Sequence, residues 1–582
     1  MRFRWPDDTV FHRIVLDVEH DSCAYCGRPL HICDHRIHRI YTLQHPLELC
    51  CRLAHCSDPA CPGRPRTLSP AAELTLTLPG WLIGWDVFCF IGHRRFARHW
   101  SIPQIRDELL DNYRIKLSPD AIGVYIRRYQ AMVAARQQDF ALLQRAYRDI
   151  DSVVLSIDGL QPEKGHEALY AVRELTAGRV WFAEALLCSS TDEVRRLLVR
   201  AREFAHRLGK PVRLWISDKQ DAFVKGIASE FRGVPHRYCA NHFLRDLAKP
   251  TLAADSHAKV RMRKKVRGLR AIEREVLRRC RQAEPTSSPG VKPAAGEADG
   301  GAAPADGRRR GGAGASAVGR ATPEAGRATA REATAAAADP AGGVVLSYCA
   351  AVRGILNDDQ GGPLHPPGLR MAEALAEVRA SLGRNLKLNR PGPAHGQLGR
   401  LAGCIDRGLA EAKSQQERVR EQVKEIGAVA TTLDARTGAL RERRASYERL
   451  RRRYQSQGGE FYEHLARMLR AWSKGLFVRV RGKRGQEFPE DNLDLERWFR
   501  APKGHERRIH GHRHAGVRIV HEGATLLLVL NAHEVHPQPF TAQELLPYRE
   551  AEEPPDQREA IRRRKIMRAA RSPKNGNPSW QT

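Results

Sequence analysis

Two aspartates stand at the ends of apolar runs, where carboxylates can share a divalent cation. Asp158 follows the run SVVLSI, and Asp218 follows VRLWIS. If these runs are neighbouring parallel strands, their carboxyl ends meet at one edge of a sheet. Taken alone, each aspartate is more often a turn residue or the cap of a following helix. As a pair they favour a Mg²⁺ site, because Mg²⁺ takes oxygen ligands and keeps positions for water and phosphate.

A third carboxylate, Glu496, lies in the segment NLDLERWF. A helix that begins near Asp491 would bury an apolar face and carry Glu496 on the flank of that face. The residues of this apolar face are Leu495, Trp498 and Phe499. Glu496 would then point toward the sheet edge, although its sequence context fits a surface helix acid equally well.

The basic run RAPKGHERRIHGHRH follows this glutamate directly. Lys503, Arg507 and Arg508 lie within it. Cationic side chains beside a carboxylate site suit contact with phosphate groups.

Seven of the chain's 13 cysteines lie within residues 23–61. Cys23 and Cys26 form a Cys-x2-Cys knuckle, and Cys56 and Cys61 form a second pair. Two such pairs suit a tetrahedral structural zinc site. The competing ligands are Cys33, Cys50, Cys51 and His55, and the alternative to a metal site is a run of incidental thiols.

The elements that must position the acids follow from the hydrophobic pattern. Short β-branched and aromatic runs predict strands at 152–160, 168–175, 179–187 and 212–218, with a helix at 191–210 before the last strand. Three adjacent strands, a helix and another strand are a mixed α/β order.

Two helix starts precede the predicted sheet. Ser101 is a predicted N-cap, and Ser118 followed by Pro119 gives a cap with proline at the first helical position. The apolar stripe of the second helix consists of Ile122, Ile126 and Tyr129. The pair is either a helix-turn-helix, with Arg127 and Arg128 on the polar face of the helix in the major groove, or an ordinary helical hairpin.

The chain changes character beyond the predicted sheet. Residues 285–343 lack aromatic, Ile, Leu and Met residues and predict a disordered insert. Residues 405–456 carry apolar residues at seven-residue intervals and predict one long helix. This helix pairs either in a helical hairpin inside the protein or with a second chain as a coiled coil.

The charge of the chain points to a polyanionic partner. The 97 Lys and Arg residues against 67 Asp and Glu give a net charge of +30, which is unusual for a metabolic enzyme. Nucleic acid is the expected partner, although ribosome-associated and membrane-surface proteins carry similar charge.

The chain shows no pattern expected of secretion or membrane insertion. Its first residues lack the apolar core of a secretory signal, and the most apolar window, 75–92, is interrupted by Pro79 and Asp86. We therefore expect this window to be buried core and the protein to be soluble and cytoplasmic, with no membrane partner. Its cysteines are then thiols or metal ligands rather than disulfides.

Four segments together resemble a known family. They are SIDGL with Asp158, WISDKQDAFVKGIASEF with Asp218, HRYCANHFLRDLAK with Cys239 and His242, and NLDLERWFRAPKGHERRIHG with Glu496. In this order the chain resembles bacterial insertion-sequence transposases of the DDE class, in the Mutator-like branch. The resemblance covers most of residues 20–530.

The resemblance implies a fold and a domain order. The fold is α/β: an RNase H-like mixed sheet with a large helical insertion, preceded by a small zinc-ribbon-like module and a helix-turn-helix DNA-binding domain. The implied boundaries are 1–65 for the zinc module, 66–140 for the DNA-binding helices, 150–250 for the first part of the core, 251–485 for the insertion, 486–535 for the closing segment and 536–582 for a basic tail.

The resemblance also implies an activity. The protein would bind the terminal inverted repeats of a mobile element, cleave the DNA strand and join it to target DNA, as a homo-oligomer associated with the nucleoid. Asp158, Asp218 and Glu496 would hold two Mg²⁺ or Mn²⁺ ions, with Cys239 and His242 supporting the site. The acids Glu490, Asp491 and Asp494 lie close enough in sequence to compete for the third position.

Two other functions fit the same residues. One is a DNA-binding regulator with a zinc ribbon, a helix-turn-helix and a catalytically inactive core derived from a transposase. The other is an RNase H-type nuclease that hydrolyses strands without joining them.

Overall fold

The structure is a computed structural model of the chain. It describes residues 5–161, 167–282, 339–388, 391–480, 488–489, 491–511 and 516–571. The chain divides into two compact units: the first contains Met1–Asn241 and Lys474–Thr582, and the second contains His242–Ser473. Among the described residues, no helix is both long and apolar enough to cross a membrane.

A three-stranded sheet opens the first unit. Its strands are β1 (His12–Leu16), β2 (Leu30–Ile40) and β3 (Leu47–Cys56), in the order β1-β3-β2. β1 runs parallel to β3, and β2 runs antiparallel to it. Alternation along β3 places Leu47, Leu49 and Cys51 on one buried face of the sheet, together with Ile40 at the end of β2.

Five helices follow: α1 (Glu73–Leu76), α2 (Trp85–Phe96), α3 (Ile102–Tyr113), α4 (Pro119–Gln137) and α5 (Phe140–Ala146). Both predicted caps are confirmed, since the Ser101 side chain accepts from the backbone N–H of Gln104 and Ser118 accepts from Ala121. The predicted apolar stripe of α4 is buried, and so is most of the apolar window at 75–92.

The second sheet of the first unit has five strands: β4 (Val153–Leu160), β5 (Ala168–Glu174), β6 (Arg179–Leu186), β7 (Val212–Ser217) and β8 (His236–Tyr238). Their order is β6-β5-β4-β7-β8. β4, β5 and β6 are antiparallel to one another, whereas β4, β7 and β8 are parallel. The four strands predicted from hydrophobic patterning are therefore confirmed.

Helices connect and cover this sheet. α6 (Thr191–Leu208) confirms the predicted helix before β7; Ser190 caps its start, and Gly209 ends it at a φ of 69°. α7 (Asp221–Glu230) follows β7, and α8 (Ala240–Leu247) follows β8. One face of the sheet packs against α6 and α7.

The closing part of the first unit is helical: α16 (Leu493–Trp498), α17 (Arg500–His510), α18 (Gly516–Val535), α19 (Ala542–Leu545) and α20 (Pro555–Arg571). Residues of α16 and α18 share a buried cluster with α2, α4, β5 and β6. The helices at 66–140, predicted as a DNA-binding domain, therefore pack into one core with the five-stranded sheet.

The second unit contains α9 (Lys249–Lys265), α10 (Leu269–Gln282), α11 (Pro340–Asn357), α12 (Pro367–Leu388), α13 (Pro393–Leu433), α14 (Leu440–Gln457) and most of α15 (Glu460–Leu476). The prediction of one helix over 405–456 is wrong, because the chain turns between α13 and α14. Asp434 accepts from the N–H of Arg436 in this turn, and Gly438 adopts a φ of 141° that other residues avoid. The Tyr454 hydroxyl donates to the Glu425 carbonyl at 3.2 Å, so the two helices form a hairpin.

The predicted disordered insert, 285–343, lies mostly outside the described residues. Its last residues are helical, which corrects that end of the prediction. Asp339 accepts from the N–H of Gly342 at 2.9 Å and caps α11, and Arg279 pairs with the same carboxylate at 2.8 Å.

Candidate metal centres

Asp158 and Asp218 lie at the same edge of the five-stranded sheet. β4 and β7 are parallel neighbours, and Ser156 pairs with Ile216 in their register. Each aspartate lies two residues beyond this pair: Asp158 lies within the last three residues of β4, and Asp218 comes directly after β7. Because neighbouring strands are about 4.8 Å apart, the register brings two carboxylate-bearing positions side by side.

The surroundings of Tyr170 support this closeness. Burial raises the pKa of the Tyr170 hydroxyl, and the charges of Asp218 and Asp158 both raise it further. Gly159 allows the tyrosine ring to approach, since a Cβ at this position would lie 2.8 Å from the Tyr170 Cε1 atom. Both acids thus act on one hydroxyl of β5, and sequence reasoning missed this residue.

Each aspartate also accepts one hydrogen bond from the nearby backbone. The N–H of Gly159 donates to Asp158 Oδ1 at 2.8 Å, and the N–H of Gln220 donates to Asp218 Oδ1 at 3.0 Å. Gln220 is the residue before α7. Asp218 therefore stabilises the turn into that helix, and this role coexists with its position at the sheet edge.

Glu496 lies on α16, half-buried, beside the segment that follows β8. The side-chain amide of Asn241 donates to Glu496 Oε2 at 2.8 Å, and the Cys239 thiol lies 3.9 Å from Oε1. The predicted apolar face of this helix is buried. Glu496 thus points toward the ends of the parallel strands, and Asn241 is a second contact that the sequence did not indicate.

The nearby acids have other partners. Asp494 accepts from the buried Arg173 guanidinium at 2.8 Å, and Asp491 accepts from the N–H of Leu493 at 3.0 Å. Glu490 lies outside the described residues. Of the described acids in this segment, Glu496 is therefore the one directed toward Cys239 and Asn241.

The three carboxylates match a hard divalent cation in the chemistry of their donor atoms. All their donors are oxygen atoms, which Mg²⁺ and Mn²⁺ prefer. Their ligand atoms do not all lie within 4.8 Å of one another among the described residues. Ionised carboxylates that lie close together repel one another, and a bound cation offsets this repulsion.

Lys503, on α17, also lies near the acidic edge. Its ammonium is half-buried, and burial lowers its pKa, with the Arg507 charge acting in the same direction. The charge of Asp158 acts in the opposite direction and raises that pKa. The lysine is therefore close enough to Asp158 for their charges to interact.

The other predicted contact residues differ in exposure. Arg127, Arg507 and Arg508 are exposed. Arg128 instead donates to the carbonyl of Ala551 at 2.8 Å, so its guanidinium is engaged within the protein. His242 lies on α8 and is the first residue of the second unit.

Cys23, Cys26, Cys56 and Cys61 form a second candidate metal centre, in the first sheet. Their sulfur atoms all lie within 4.8 Å of one another, with 3.8 Å between Cys23 and Cys61 and 3.4 Å between Cys26 and Cys56. A tetrahedral zinc with bonds of about 2.3 Å separates its sulfurs by about 3.8 Å, whereas a disulfide bond is about 2.05 Å long. The four cysteines can therefore bind a structural metal such as zinc.

Backbone turns present these sulfurs at one end of the β2–β3 pair. Cys23 and Cys26 lie in the turn before β2, Cys56 ends β3, and Cys61 follows it. The N–H of Asp58 donates to Cys56 Sγ, and the N–H of Gly63 donates to Cys61 Sγ at 3.3 Å. Such N–H groups also stabilise the thiolate form that binds metal.

The pKa values of these thiols differ with their surroundings. The backbone N–H groups of Tyr25 and Cys26 lower the pKa of Cys23 to about 7. Burial raises the pKa of Cys56 to about 12. At neutral pH Cys23 is therefore partly ionised, whereas Cys56 keeps its proton.

The competing ligands lie elsewhere. The Cys33 thiol donates to the carbonyl of Leu53 at 3.3 Å, and Cys50 and Cys51 are buried within β3. His55 pairs across the sheet with His31. The predicted set of four cysteines is thus the one that the fold brings together.

No protein-family model matches the chain, and no curated protein matches its sequence. A function must therefore be argued from the two candidate metal centres and from the order of the strands.

Proposed function

We propose that the protein is a DDE-class transposase that binds the ends of a mobile element, cleaves DNA strands there and joins them to target DNA. The observation that carries the proposal is the register of β4 and β7, which places Asp158 and Asp218 at one sheet edge. Glu496 approaches this edge from a helix much later in the chain. Two acids on neighbouring strands and a third on a later helix are the arrangement expected of this class.

The strand order supports an RNase H-like core. Three antiparallel strands, β4 to β6, are followed by two strands parallel to β4, in the order β6-β5-β4-β7-β8. Helices pack on both faces of this sheet. Open sheets of this kind carry their sites at the carboxyl ends of the parallel strands, which is where both aspartates lie.

The proposed chemistry is in-line attack at phosphorus. In the first step water attacks the phosphodiester and leaves a 5′-phosphate on one product and a free 3′-hydroxyl on the other. In the second step that hydroxyl attacks a phosphodiester of target DNA, becomes joined to the target's 5′-phosphate and releases a 3′-hydroxyl of the target. Asp158, Asp218 and Glu496 would hold Mg²⁺ or Mn²⁺, which supplies activation of the attacking oxygen and neutralisation of the leaving one. The same carboxylates can serve both steps.

The charge of the protein supports double-stranded DNA as the partner. Arg507 and Arg508 are exposed on α17, the helix that also carries Lys503 near Asp158. The excess of basic residues provides the long-range attraction to phosphate. The proposal includes a homo-oligomer that assembles on the DNA ends in the cytoplasm, and a zinc ion that stabilises the first sheet.

The test uses DNA that carries the terminal inverted repeats that the proposal predicts on either side of the reading frame. With Mg²⁺, the wild-type protein should nick these ends and join them to a second duplex, and Asp158→Ala should lose both activities by at least about 100-fold. Asp221→Ala is the matched control, because Asp221 is an exposed acid at the start of α7, three residues after Asp218. Cleavage that survives Asp158→Ala would overturn the assignment of the site.

The products separate the proposal from its alternatives. Ends that are nicked but never joined would favour a nuclease. Specific DNA binding without any cleavage by the wild-type protein would favour a regulator with an inactive core.

A further inference from the structure

Asn492 is a buried polar residue directly before α16. Its side chain is fully buried, and its carbonyl accepts from the N–H of Glu496 at 3.0 Å. The Ser156 hydroxyl donates to Asn492 Oδ1, and Asn492 Nδ2 donates to the carbonyl of Ile157 at 3.5 Å. The asparagine side chain therefore joins the start of the Glu496 helix to the two residues that precede Asp158.

Cys239 extends this set of contacts to the segment that carries Asp218. The N–H of Cys239 donates to the carbonyl of Ser217 at 2.8 Å, and its sulfur accepts from the N–H of Asn492 at 3.2 Å. Ser217 is the residue before Asp218. A short series of hydrogen bonds thus connects the three segments that carry the acids, through groups that are all buried.

These contacts position the helix that carries Glu496, which the pairing of the strands does not do. The register of β4 and β7 positions Asp158 and Asp218, but Glu496 arrives from a helix of only six residues. Such a short helix has little orientation of its own and depends on what holds its ends. Ser156 lies on the same face of β4 as Asp158 because side chains alternate along a strand, so the asparagine holds α16 on the acidic face.

We infer that Asn492 is a positioning residue that sets the distance of Glu496 from Asp158 and Asp218, and so tunes the affinity of the site for its cation. This inference rests on the proposed function, since it assumes that the three acids bind a divalent cation together. Asn492 itself touches neither cation nor DNA. Its amide is required because the position needs an acceptor for Ser156 and a donor for Ile157 at once.

The experiment measures cation affinity directly, without DNA. Mn²⁺ is titrated into the zinc-loaded, full-length protein, and the EPR signal of the free ion reports binding. Asn492→Ala should raise the Mn²⁺ concentration at half-saturation by about 10-fold or more, as loss of a group that orients a metal ligand does elsewhere. The Mg²⁺ concentration for half-maximal DNA cleavage should rise by the same factor, and saturating Mg²⁺ should restore most of the rate.

Asn531→Ala is the matched control. Asn531 is an equally buried asparagine that joins α18 to β6, accepting from the N–H of Val180 at 2.9 Å and donating to the carbonyl of Gly178 at 3.1 Å. Its loss should lower the melting temperature without changing cation affinity. An equal shift in Mn²⁺ affinity from both variants would overturn the inference, since it would show a general effect of destabilisation.

A milder variant covers the case in which Asn492→Ala fails to fold. Ser156→Ala removes one hydroxyl from the same contact and should weaken Mn²⁺ binding in the same direction by a smaller factor. Unchanged affinity in a folded variant at either position would overturn the positioning role alone, provided that Asp158→Ala abolishes binding. If the wild-type protein binds no Mn²⁺ at all, both the inference and the proposed function fail.

Discussion

The two candidate metal centres are built in opposite ways. The cysteine centre draws its ligands from turns at one end of the adjacent strands β2 and β3, and its sulfurs already lie 3.4 and 3.8 Å apart in pairs. The acidic centre draws its ligands from three distant segments, and its carboxylate oxygens do not all lie within 4.8 Å of one another among the described residues.

The difference follows from charge and chain distance. Thiols such as Cys56 remain protonated well above neutral pH and can pack together as small apolar groups. Carboxylates are ionised at neutral pH and repel one another until a cation arrives. A structural centre can thus be assembled by the local chain, whereas a catalytic one needs the surrounding fold to hold its charges near each other.

Zinc removal should produce the largest loss of stability, and this loss should be confined to the first sheet. Structural zinc contributes on the order of 10 kcal/mol to folding, so chelation should unfold the first sheet while the five-stranded sheet persists. Hydrogen exchange of peptides from β2 and β3, compared with β4 and β7, measures this. Protected β2 and β3 after complete zinc loss would contradict a structural role, and Cys33→Ser should leave the zinc content unchanged.

Loss of an acidic ligand should have the opposite pattern of effects: it should lower activity without lowering stability. Asp218→Asn should reduce the rate of DNA cleavage by about 10³-fold, because it removes a charged ligand from the reacting site. The same change should leave the melting temperature of the cation-free protein equal or higher, since it relieves repulsion between carboxylates. Calorimetry measures the melting temperature, and single-turnover cleavage measures the rate. A marked loss of stability would indicate a structural role for Asp218 instead.

The stability of the first unit should also depend on pH, because α17 carries a buried glutamate. Burial raises the pKa of Glu506 to about 7, with the charge of Glu522 acting in the same direction. A raised pKa means that the protonated form stabilises the fold below about pH 4.5 and that this stabilisation is lost as pH rises through 7. Glu506→Gln should therefore increase the free energy of unfolding at pH 8 by up to about 3 kcal/mol and change it little at pH 4.

Denaturant unfolding of the Glu506 variant at the two pH values tests this dependence. Equal effects at pH 4 and pH 8 would contradict a raised pKa. Glu522→Gln is a useful second variant, because it should lower the pKa of Glu506 without removing its carboxylate.

The smallest predicted effect is a difference in DNA binding between variants of two adjacent arginines of α4. Arg127→Gln should weaken DNA binding a few-fold and reduce the slope of log affinity against log salt by about one, as expected for one lost phosphate contact. Arg128→Gln should leave this slope unchanged, since its guanidinium binds the carbonyl of Ala551. Equal slopes for both variants and the wild type would remove α4 from the DNA interface.

Much of the local structure was predictable because its causes are local. Ser101 and Ser118 cap helices through side-chain oxygens that reach the first turn, and short β-branched and aromatic runs marked the four longer strands of the second sheet. The long helix over 405–456 was wrong for a local reason as well. Its seven-residue pattern continues across Gly438, but a short turn there reverses the chain.

The tertiary structure decided the partners of the chemically active residues. The sequence by itself determined two pairs of cysteines, two strand-end aspartates and a helix that buries Leu495. It did not distinguish Glu496 from Asp494, because that difference depends on the buried Arg173 of a distant strand. The resemblance included Asn492 in the segment NLDLERWF but gave it no role: that role arises only from the strand and the thiol that folding brings to it.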